Sequence, residues 1–287
     1  FDIFHDLAKV SMLRGTDGAG IMYVGDKDTG LHTDGEPLVS YIKQGSHMMD
    51  LVTSDLYWDT LQELTCSRIL VGHCRAATIG KINTENAHPH RKDHITLVHN
   101  GTLNAIGSIK HFKEENSPIS DSEVLCQELA KGNAQEVLST MDGAAALVWY
   151  DALENKLKFY RNSQRPLFWL THGAKLYFAS ESWMIRMVLM RKSNYPDIKE
   201  KMPEPVAVDT LFEYDLDGTE HMFPVKPFSA KKAHVVEMGK PKIKAKTPKA
   251  ILPANEPSLI SKIANFFGDG KLTAAPKIEN LIPLAEY

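Results

Sequence analysis

The chain has 287 residues, of which 43% are hydrophobic, so it can form one large domain or two modest ones with a sizeable core. Its formal net charge of −3 argues against bulk nucleic-acid binding. The sequence contains no run of about 18 apolar residues, which excludes a membrane-spanning helix from the expected elements.

In the first half of the chain, apolar spacing and glycine positions predict helices and strands in alternation. Ile3, Leu7 and Val10 recur at helical spacing, so a helix over 3–13 is expected to end before Gly15. The further elements expected here are a strand over 21–24, helical structure over 45–65, a strand over 67–72, a loop over 81–93, and a strand over 94–99 that ends at Asn100-Gly101.

The second half is richer in strands. The patterns predict helices over 120–131, 134–141 and 181–191, and strands over 145–150, 156–160, 167–170, 175–179 and 206–214. Strands on both sides of a central pair of helices indicate mixed α/β packing in layers.

The composition changes near Ser229. Residues 231–249 hold seven lysines and one glutamate, which is typical of an extended, charged linker. Leu259, Ile263 and Phe266 then share one face of a short amphipathic helix. We therefore expect a domain over 1–228, a Lys/Pro-rich linker over 229–257, and a terminal helix and tail over 258–287.

Five short motifs lie in a fixed order between residues 14 and 123. They are Arg14-Gly-Thr-Asp17-Gly-Ala-Gly20, Gly72-His-Cys-Arg75-Ala-Ala-Thr78-Ile-Gly80, Asn86-Ala-His88-Pro-His90, His99-Asn100-Gly101 and Ser120-Asp121-Ser-Glu123. In this order they resemble the glutaminase domain of the class II glutamine amidotransferases, which are N-terminal nucleophile (Ntn) hydrolases, and in particular that of glucosamine-6-phosphate synthase. The resemblance implies an α+β fold, the four-layer αββα sandwich, and hydrolysis of glutamine to glutamate and ammonia.

Two of these motifs carry groups that suit the α-amino acid end of glutamine. The planar guanidinium of Arg75 can bind a carboxylate through two parallel hydrogen bonds. By resemblance, Arg75 binds the α-carboxylate and Asp121 binds the α-ammonium group. Taken alone, Ser120-Asp121-Ser-Glu123 also fits an ordinary helix cap.

Asn100 and Gly101 form the expected oxyanion hole, again by resemblance. An asparagine amide and an adjacent glycine N–H can converge on one oxygen, and glycine lets a substrate approach the backbone closely. The alternative is a plain hairpin turn, because Asn-Gly is the commonest turn pair. The residues after Gly101 do not repeat the strand alternation, which argues against that alternative.

Arg14 and Thr78 complete the expected substrate-binding set. Arg14 lies in a segment that shapes the pocket in the family, and Thr78 resembles a threonine of the loop that covers bound glutamine. The segment from Asn86 to Pro89 is expected to be architectural. Ala76 and Ile79 depart from the tryptophan and histidine of the aminosugar synthases, so coupling to such a synthase is not expected.

The family's nucleophile is an N-terminal cysteine whose own α-amino group acts as the base. The sequence begins at Phe1, and Cys74 fits a small buried residue better than a substitute nucleophile. We therefore expect a Cys-Gly start upstream of Phe1. Neither an organic cofactor nor a metal is expected, although the cluster of His73, His88, His90, His94 and His99 leaves a zinc site as an alternative.

The expected partners are L-glutamine and a separate synthase that accepts the ammonia; an oligomer is compatible with the sequence. Cys66, Cys74 and Cys126 show no paired spacing, which indicates a reducing compartment and a cytoplasmic protein. Two alternatives stay open. One is a catalytically dead glutamine sensor or scaffold, and the other is an interaction subunit that loses its association when cut near Ser229.

Overall fold

The computed structural model describes residues 1–25, 32–33, 36–78, 80–107, 109–110, 120–172, 174–191, 201–215 and 220–225. The chain divides into two compact units, Phe1–Ala233 and His234–Tyr287, and the described residues all belong to the first. The predicted linker and terminal helix lie outside the described residues. Within those residues, no helix is both long and apolar enough to cross a membrane.

The elements of the first unit alternate as the patterns predict. The helices are α1 (Asp2–Ser11), α2 (Met48–Val52), α3 (Asp55–Asp59), α4 (Leu61–Cys66), α5 (Asp121–Lys131), α6 (Ala134–Ser139) and α7 (Ser182–Arg191). The strands are β1 (Gly18–Val24), β2 (His32–Thr33), β3 (Glu36–Pro37), β4 (Val39–Gln44), β5 (Ile69–Arg75), β6 (His90–Lys92), β7 (Ile95–Ile106), β8 (Ile109–Lys110), β9 (Asp142–Asp151), β10 (Lys156–Arg161), β11 (Phe168–His172), β12 (Lys175–Ala179), β13 (Glu204–Pro205), β14 (Thr210–Asp215) and β15 (Glu220–Pro224).

The largest sheet has seven strands in the order β15-β14-β10-β9-β7-β6, with β8 paired to β7. Its central strand β9 is buried on both faces. Leu147 and Trp149 pack in one apolar cluster with Leu125 of α5, whereas Val148 and Tyr150 pack in a second cluster on the opposite face. Because side chains alternate along a strand, one apolar run supplies both cores.

Two three-stranded sheets, β4-β1-β5 and β12-β11-β13, contribute to the second cluster. Met22 of β1 and Trp169 of β11 share this cluster with Val148 of the large sheet, so the sheets pack face to face. Among the described residues, β5 and β12 are end strands of their sheets.

Helices cover the outer faces of both sheet layers. Helices α5 and α6 pack on the large sheet, and α1 and α2 pack with β1 on the other side through Ala8, Met48 and Leu51. Helix α7 contacts both α1 and β12. The layers are therefore helix, sheet, sheet and helix, which confirms the expected four-layer αββα sandwich.

Helical structure is expected over 45–65, and the structure forms three short helices there, α2, α3 and α4, with breaks between them. Hydroxyl groups compete for the backbone carbonyls where the breaks occur. Thr53 Oγ1 donates to the Met49 carbonyl over 2.8 Å, and Ser54 Oγ donates to the Leu51 carbonyl over 2.7 Å. Ser54 then caps α3 by accepting from the Tyr57 N–H. Such local bonds end a helix that apolar spacing alone would continue.

The strand predicted to end at Asn100-Gly101 continues instead to Ile106. Asn100 pairs with Ala146 and Gly101 with Ala145, and the register shifts between Leu103 and Ala105. This irregularity explains why the alternation fades after Gly101 although the strand persists. The pairing also excludes a hairpin turn at Asn100-Gly101. The expected loop over 81–93 likewise contains a short strand, β6.

Candidate active site

One cavity of about 930 Å³ lies among the two sheet layers and α1. Residues of the two end strands, β5 and β12, line it together with residues of β7 and β9. All six site residues expected from the sequence line this cavity: Arg14, Arg75, Thr78, Asn100, Gly101 and Asp121. The fold thus brings together side chains that are up to 107 positions apart in the sequence.

Arg75 is the last residue of β5 and its side chain is almost fully buried. Its Nη1 donates to the carbonyl of Lys81 over 3.0 Å, and its Nη2 donates to the carbonyl of Gly80 over 3.3 Å. Burial lowers the pKa of the guanidinium, and the carboxylates of Asp17 and Asp121 oppose this shift. The site therefore holds a buried cation with two anions nearby.

Asp121 is the first residue of α5, and Ser120 before it is the helix cap. Ser120 Oγ accepts the Glu123 N–H over 3.1 Å, so Ser120 and not Asp121 caps α5. The Asp121 carboxylate accepts the Leu103 N–H over 2.8 Å and the Ser122 N–H over 3.0 Å. These bonds fix the carboxylate between α5 and the strand that carries Asn100 and Gly101.

Gly101 has a φ angle of 156°, which L side chains rarely adopt. A Cβ atom there would lie 1.8 Å from the Ala144 carbonyl oxygen and 2.7 Å from His99 Nε2. His99 is buried, and its ring bonds Ser122 Oγ over 2.9 Å. Close packing under Gly101 therefore requires glycine at this position.

The loop after Arg75 is held through two adjacent residues, Ala77 and Thr78. The Ala77 N–H donates to Asp17 Oδ2 over 2.8 Å, and the hydroxyls of Thr78 and Thr102 lie 3.0 Å apart. The remaining predicted residue, Arg14, forms an ion pair with Glu181 at 3.1 Å. Arg14 thus contacts the cavity while its guanidinium is paired to a residue of the second half of the domain.

Cys74 lines the same cavity, but burial raises the pKa of its thiol to about 12. A thiol with such a pKa holds almost no thiolate at neutral pH, so Cys74 is a poor nucleophile. All three cysteines are free.

Three histidine rings lie close together beside the cavity, one pair tilted and the other edge-on. The ring centroids of His73 and His88 are 4.0 Å apart, and those of His88 and His90 are 4.7 Å apart. Burial lowers the pKa of His73 and of His90 to about 3, and it lowers that of His88 as well. Within the described part of the chain, no set of three or more such side chains is arranged to hold a metal ion.

Arg165 and Tyr177 also line the cavity, and neither belongs to a sequence motif. Both come from the strand-rich second half, more than 40 positions beyond the last of the five motifs, which ends at Glu123. No local spacing links these two residues to the five motifs. Only the pairing of distant strands brings them to the same cavity.

A family model described as a glutamine amidotransferase domain matches residues 73–187. The glutamine–fructose-6-phosphate aminotransferase (isomerizing) of Listeria innocua is 28% identical over 229 residues, which cover 74% of this chain and 36% of the relative. The enzyme of the same description from Thermotoga maritima is 33% identical over 126 residues, 42% of this chain and 18% of the relative. The chain thus spans about a third or less of the length of these curated relatives.

Two solved structures share the fold. A glutamine phosphoribosylpyrophosphate amidotransferase from B. subtilis matches with a TM-score of 0.53 and 20% identity, covering 78% of this chain and 46% of that chain. A structure described as the allosteric regulatory enzyme of purine biosynthesis matches with a TM-score of 0.55 and 22% identity, over the same shares of the two chains.

Proposed function

Because the chain carries a class II glutamine amidotransferase domain, we propose that it hydrolyses the side-chain amide of glutamine to glutamate and ammonia. The observation that carries this proposal is the convergence of Arg75, Asp121, Asn100 and Gly101 on one cavity. These four residues supply a buried cation, a buried anion and an amide beside a glycine. A free amino acid with a side-chain amide has matching groups.

Arg75 binds the α-carboxylate of glutamine in this proposal, with Thr78 and Arg14 beside it. Asp121 binds the α-ammonium group. Burial of Arg75 and Asp121 supports these roles, because charge-assisted hydrogen bonds are stronger where water is excluded. The same burial favours selectivity, since a ligand lacking either charge forgoes one of these charge-assisted contacts.

Asn100 and Gly101 stabilise the oxyanion that forms when the amide carbon is attacked. The amide of Asn100 and the N–H of Gly101 donate to that oxygen. The φ angle of 156° at Gly101, held by close packing against Ala144 and His99, supports a backbone preset for this task. Donors fixed before the reaction need no reorganisation as negative charge develops.

We propose that the nucleophile is an N-terminal cysteine that precedes Phe1. Its thiol gives its proton to its own α-amino group and attacks the amide carbon. The C–N bond breaks, ammonia leaves with that proton, and water hydrolyses the thioester to release glutamate and restore the thiol. The raised pKa of Cys74 supports this assignment by leaving the cavity's own thiol unreactive.

The shape of the cavity also supports the proposal that a segment preceding Phe1 enters it. It is lined by β5 and β12, which are end strands among the described residues, and an extended segment between them could pair with both. Buried nitrogens of His73 and His88 on the same cavity have no hydrogen-bond partner within the chain as described. A backbone passing there could supply partners.

The ammonia passes to a separate acceptor enzyme in this proposal. Ala76 stands where the aminosugar synthases have tryptophan, so the acceptor need not be a sugar phosphate. The three free cysteines support a reducing, cytoplasmic setting.

The test is the mature N-terminal sequence of the full-length protein together with its release of ammonia from glutamine. An N-terminal cysteine and glutamine-dependent ammonia release are the expected results. Another N-terminal residue, with glutamine bound and no ammonia formed, would replace the proposal with the sensor or scaffold alternative. Loss of both binding and hydrolysis would reject both.

A further inference from the structure

The guanidinium of Arg75 takes its orientation from a short segment of backbone. Nη1 donates to the carbonyl of Lys81 and Nη2 donates to the carbonyl of Gly80, at 3.0 and 3.3 Å. Two adjacent carbonyls therefore engage both terminal nitrogens of a planar group. The direction in which the guanidinium points depends on where residues 80 and 81 are held.

Asn86 holds that segment. Its Nδ2 donates to the carbonyl of Lys81 over 3.1 Å, so this carbonyl accepts from both Asn86 and Arg75. Asn86 is 2% exposed, and its own N–H donates to Asn83 Oδ1 over 3.0 Å. Asn86 is therefore a buried residue of a turn, and its side chain is free of the bond to Asn83.

Gly80 adds a steric reason for the same arrangement. Its φ angle is 81°, and a Cβ atom there would lie 3.1 Å from Asn86 Nδ2. The amide of Asn86 therefore packs closely against Gly80 while it bonds to the next carbonyl. Asn86, the Lys81 carbonyl and Arg75 form one continuous path of contacts.

We propose that Asn86 is a positioning residue that sets the orientation of the Arg75 guanidinium, and through it the affinity for an α-carboxylate. This inference rests on the proposed role of Arg75 in the glutamine site. Asn86 does not touch the substrate in this account. Its effect is confined to ligands that carry the carboxylate.

Two ligands separate this role from a general structural one. L-Glutamate keeps the α-carboxylate and cannot be hydrolysed, whereas 4-aminobutanamide keeps the amine and the amide but lacks the carboxylate. In Asn86→Ala, we expect the dissociation constant for L-glutamate to rise about threefold to tenfold, the effect of one lost hydrogen bond. We expect the constant for 4-aminobutanamide, measured by competition, to stay the same.

Asn86→Asp is the second variant, because it preserves the shape of the side chain. Its carboxylate cannot donate to the Lys81 carbonyl, and its negative charge competes for the guanidinium. We therefore expect weaker L-glutamate binding than in Asn86→Ala. Asn83→Ala is the matched control, since it removes a bond of the same turn and leaves the Lys81 carbonyl untouched.

A readout without ligand comes from ¹⁵N NMR of the arginine guanidinium groups in the full-length protein. We expect the Arg75 signals of Asn86→Ala to broaden or merge as rotation of the group becomes faster, and those of Asn83→Ala to match the wild type. Equal weakening of both ligands, or Arg75 signals unchanged in Asn86→Ala, would overturn the inference. If the wild type binds no L-glutamate while the Arg75 signals still respond to Asn86→Ala, the proposed function fails and the positioning role stands.

Discussion

At the scale of single residues, the candidate site depends on polar groups that are buried and held by backbone. The carboxylate of Asp121 accepts two backbone N–H groups, and the guanidinium of Arg75 donates to two backbone carbonyls. A charged group held in this way loses little conformational freedom when it binds a ligand. The site is therefore ordered by the fold before any substrate enters.

Gly101 matters both for the packing of the sheet and for the proposed oxyanion hole. In Gly101→Ala, the added Cβ would lie 1.8 Å from the Ala144 carbonyl oxygen, so the strand must move. We expect unfolding to become easier by about 2–4 kcal/mol, and kcat for glutamine hydrolysis to fall about a hundredfold or more as the oxyanion donors shift. Urea unfolding and steady-state assays measure both effects.

Gly132→Ala is the matched control for this prediction. Its added Cβ would meet open space, and its φ of 168° is ordinary extended backbone. We expect wild-type stability and activity from this variant. Wild-type kcat in Gly101→Ala would contradict the assigned role of Gly101.

The buried histidines predict a dependence of stability on pH. Burial, together with the nearby Lys43 and His73, lowers the pKa of His90 from 6.5 to about 3. Below pH 6.5, His90 takes up a proton in the unfolded chain but not in the folded chain. The contribution of His90 to the free energy of unfolding is therefore fully present above pH 6.5 and is lost as the pH falls towards 3. His90→Gln should reduce the slope of the unfolding free energy over this range by up to about 1.4 kcal/mol per pH unit.

Urea titrations at several pH values measure this slope. A slope unchanged in His90→Gln would show that His90 already carries a proton in the folded state.

The sequence indicates which residues belong to the candidate site better than it indicates how they are held. Motif order selects Arg75, Asn100 and Asp121, and all three line the cavity. It does not reveal that Asn86 bonds the carbonyl that orients Arg75, because that path runs through backbone. Nor does it reveal Arg165, which reaches the cavity only after distant strands pair.

At the scale of elements, three strands of the large sheet are joined by buried charge. Lys158 of β10 is 2% exposed, and its ammonium lies 3.4 Å from Asp151 of β9 and 3.2 Å from Glu213 of β14. Burial alone would lower its pKa, but the hydrogen bond to Glu154 and the surrounding carboxylates raise it. Lys158 is therefore charged at neutral pH and balances anions that are themselves buried.

Replacing Lys158 by methionine removes the ammonium that Asp151 and Glu213 share, while Lys156 still pairs with Glu213 at 3.2 Å. We expect Lys158→Met to destabilise the fold by about 3–5 kcal/mol, because a broken buried ion pair leaves an uncompensated charge. Lys131→Met is the control, since that lysine is 68% exposed, pairs only with Glu128 among the described residues, and should cost under about 1 kcal/mol. Urea unfolding at neutral pH compares the two, and equal losses would contradict the buried-charge account.

Helices and strands with a clear apolar period were predictable from the sequence. Elements whose bounds depend on side-chain hydrogen bonds to the backbone, or on cross-strand pairing, were not. Helix α1 and strand β10 agree closely with the apolar patterns that predicted them. The helical stretch over 45–65 instead breaks where Thr53 and Ser54 bond backbone carbonyls. Strand β7 continues through Asn100-Gly101 because cross-strand pairing with β9 outweighs the turn propensity of that dipeptide.

At the scale of the whole molecule, layer order explains why the site lies where it does. Two sheets packed face to face bury strands on both sides, so a polar cavity is favoured where a strand ends or has an unpaired edge. The edges of β5 and β12 and the middle of β7 meet at the cavity. The motifs lie in the first 123 residues, and residues of the second half of the domain, such as Arg165 and Tyr177, also line the cavity.

This arrangement makes a prediction for the lysine-rich end of the chain. All six residues proposed for the site lie within the compact unit Phe1–Ala233, which has its own apolar clusters. A chain ending at Ala233 should therefore keep kcat/KM for glutamine hydrolysis within about twofold of the full-length value, and it should unfold in one cooperative transition. Parallel assays of ammonia release and urea unfolding on both chains measure this. A much lower kcat/KM in the shortened chain would mean that residues beyond Ala233 help to form the site, and the proposed location of the glutamine site within the first unit would then be incomplete.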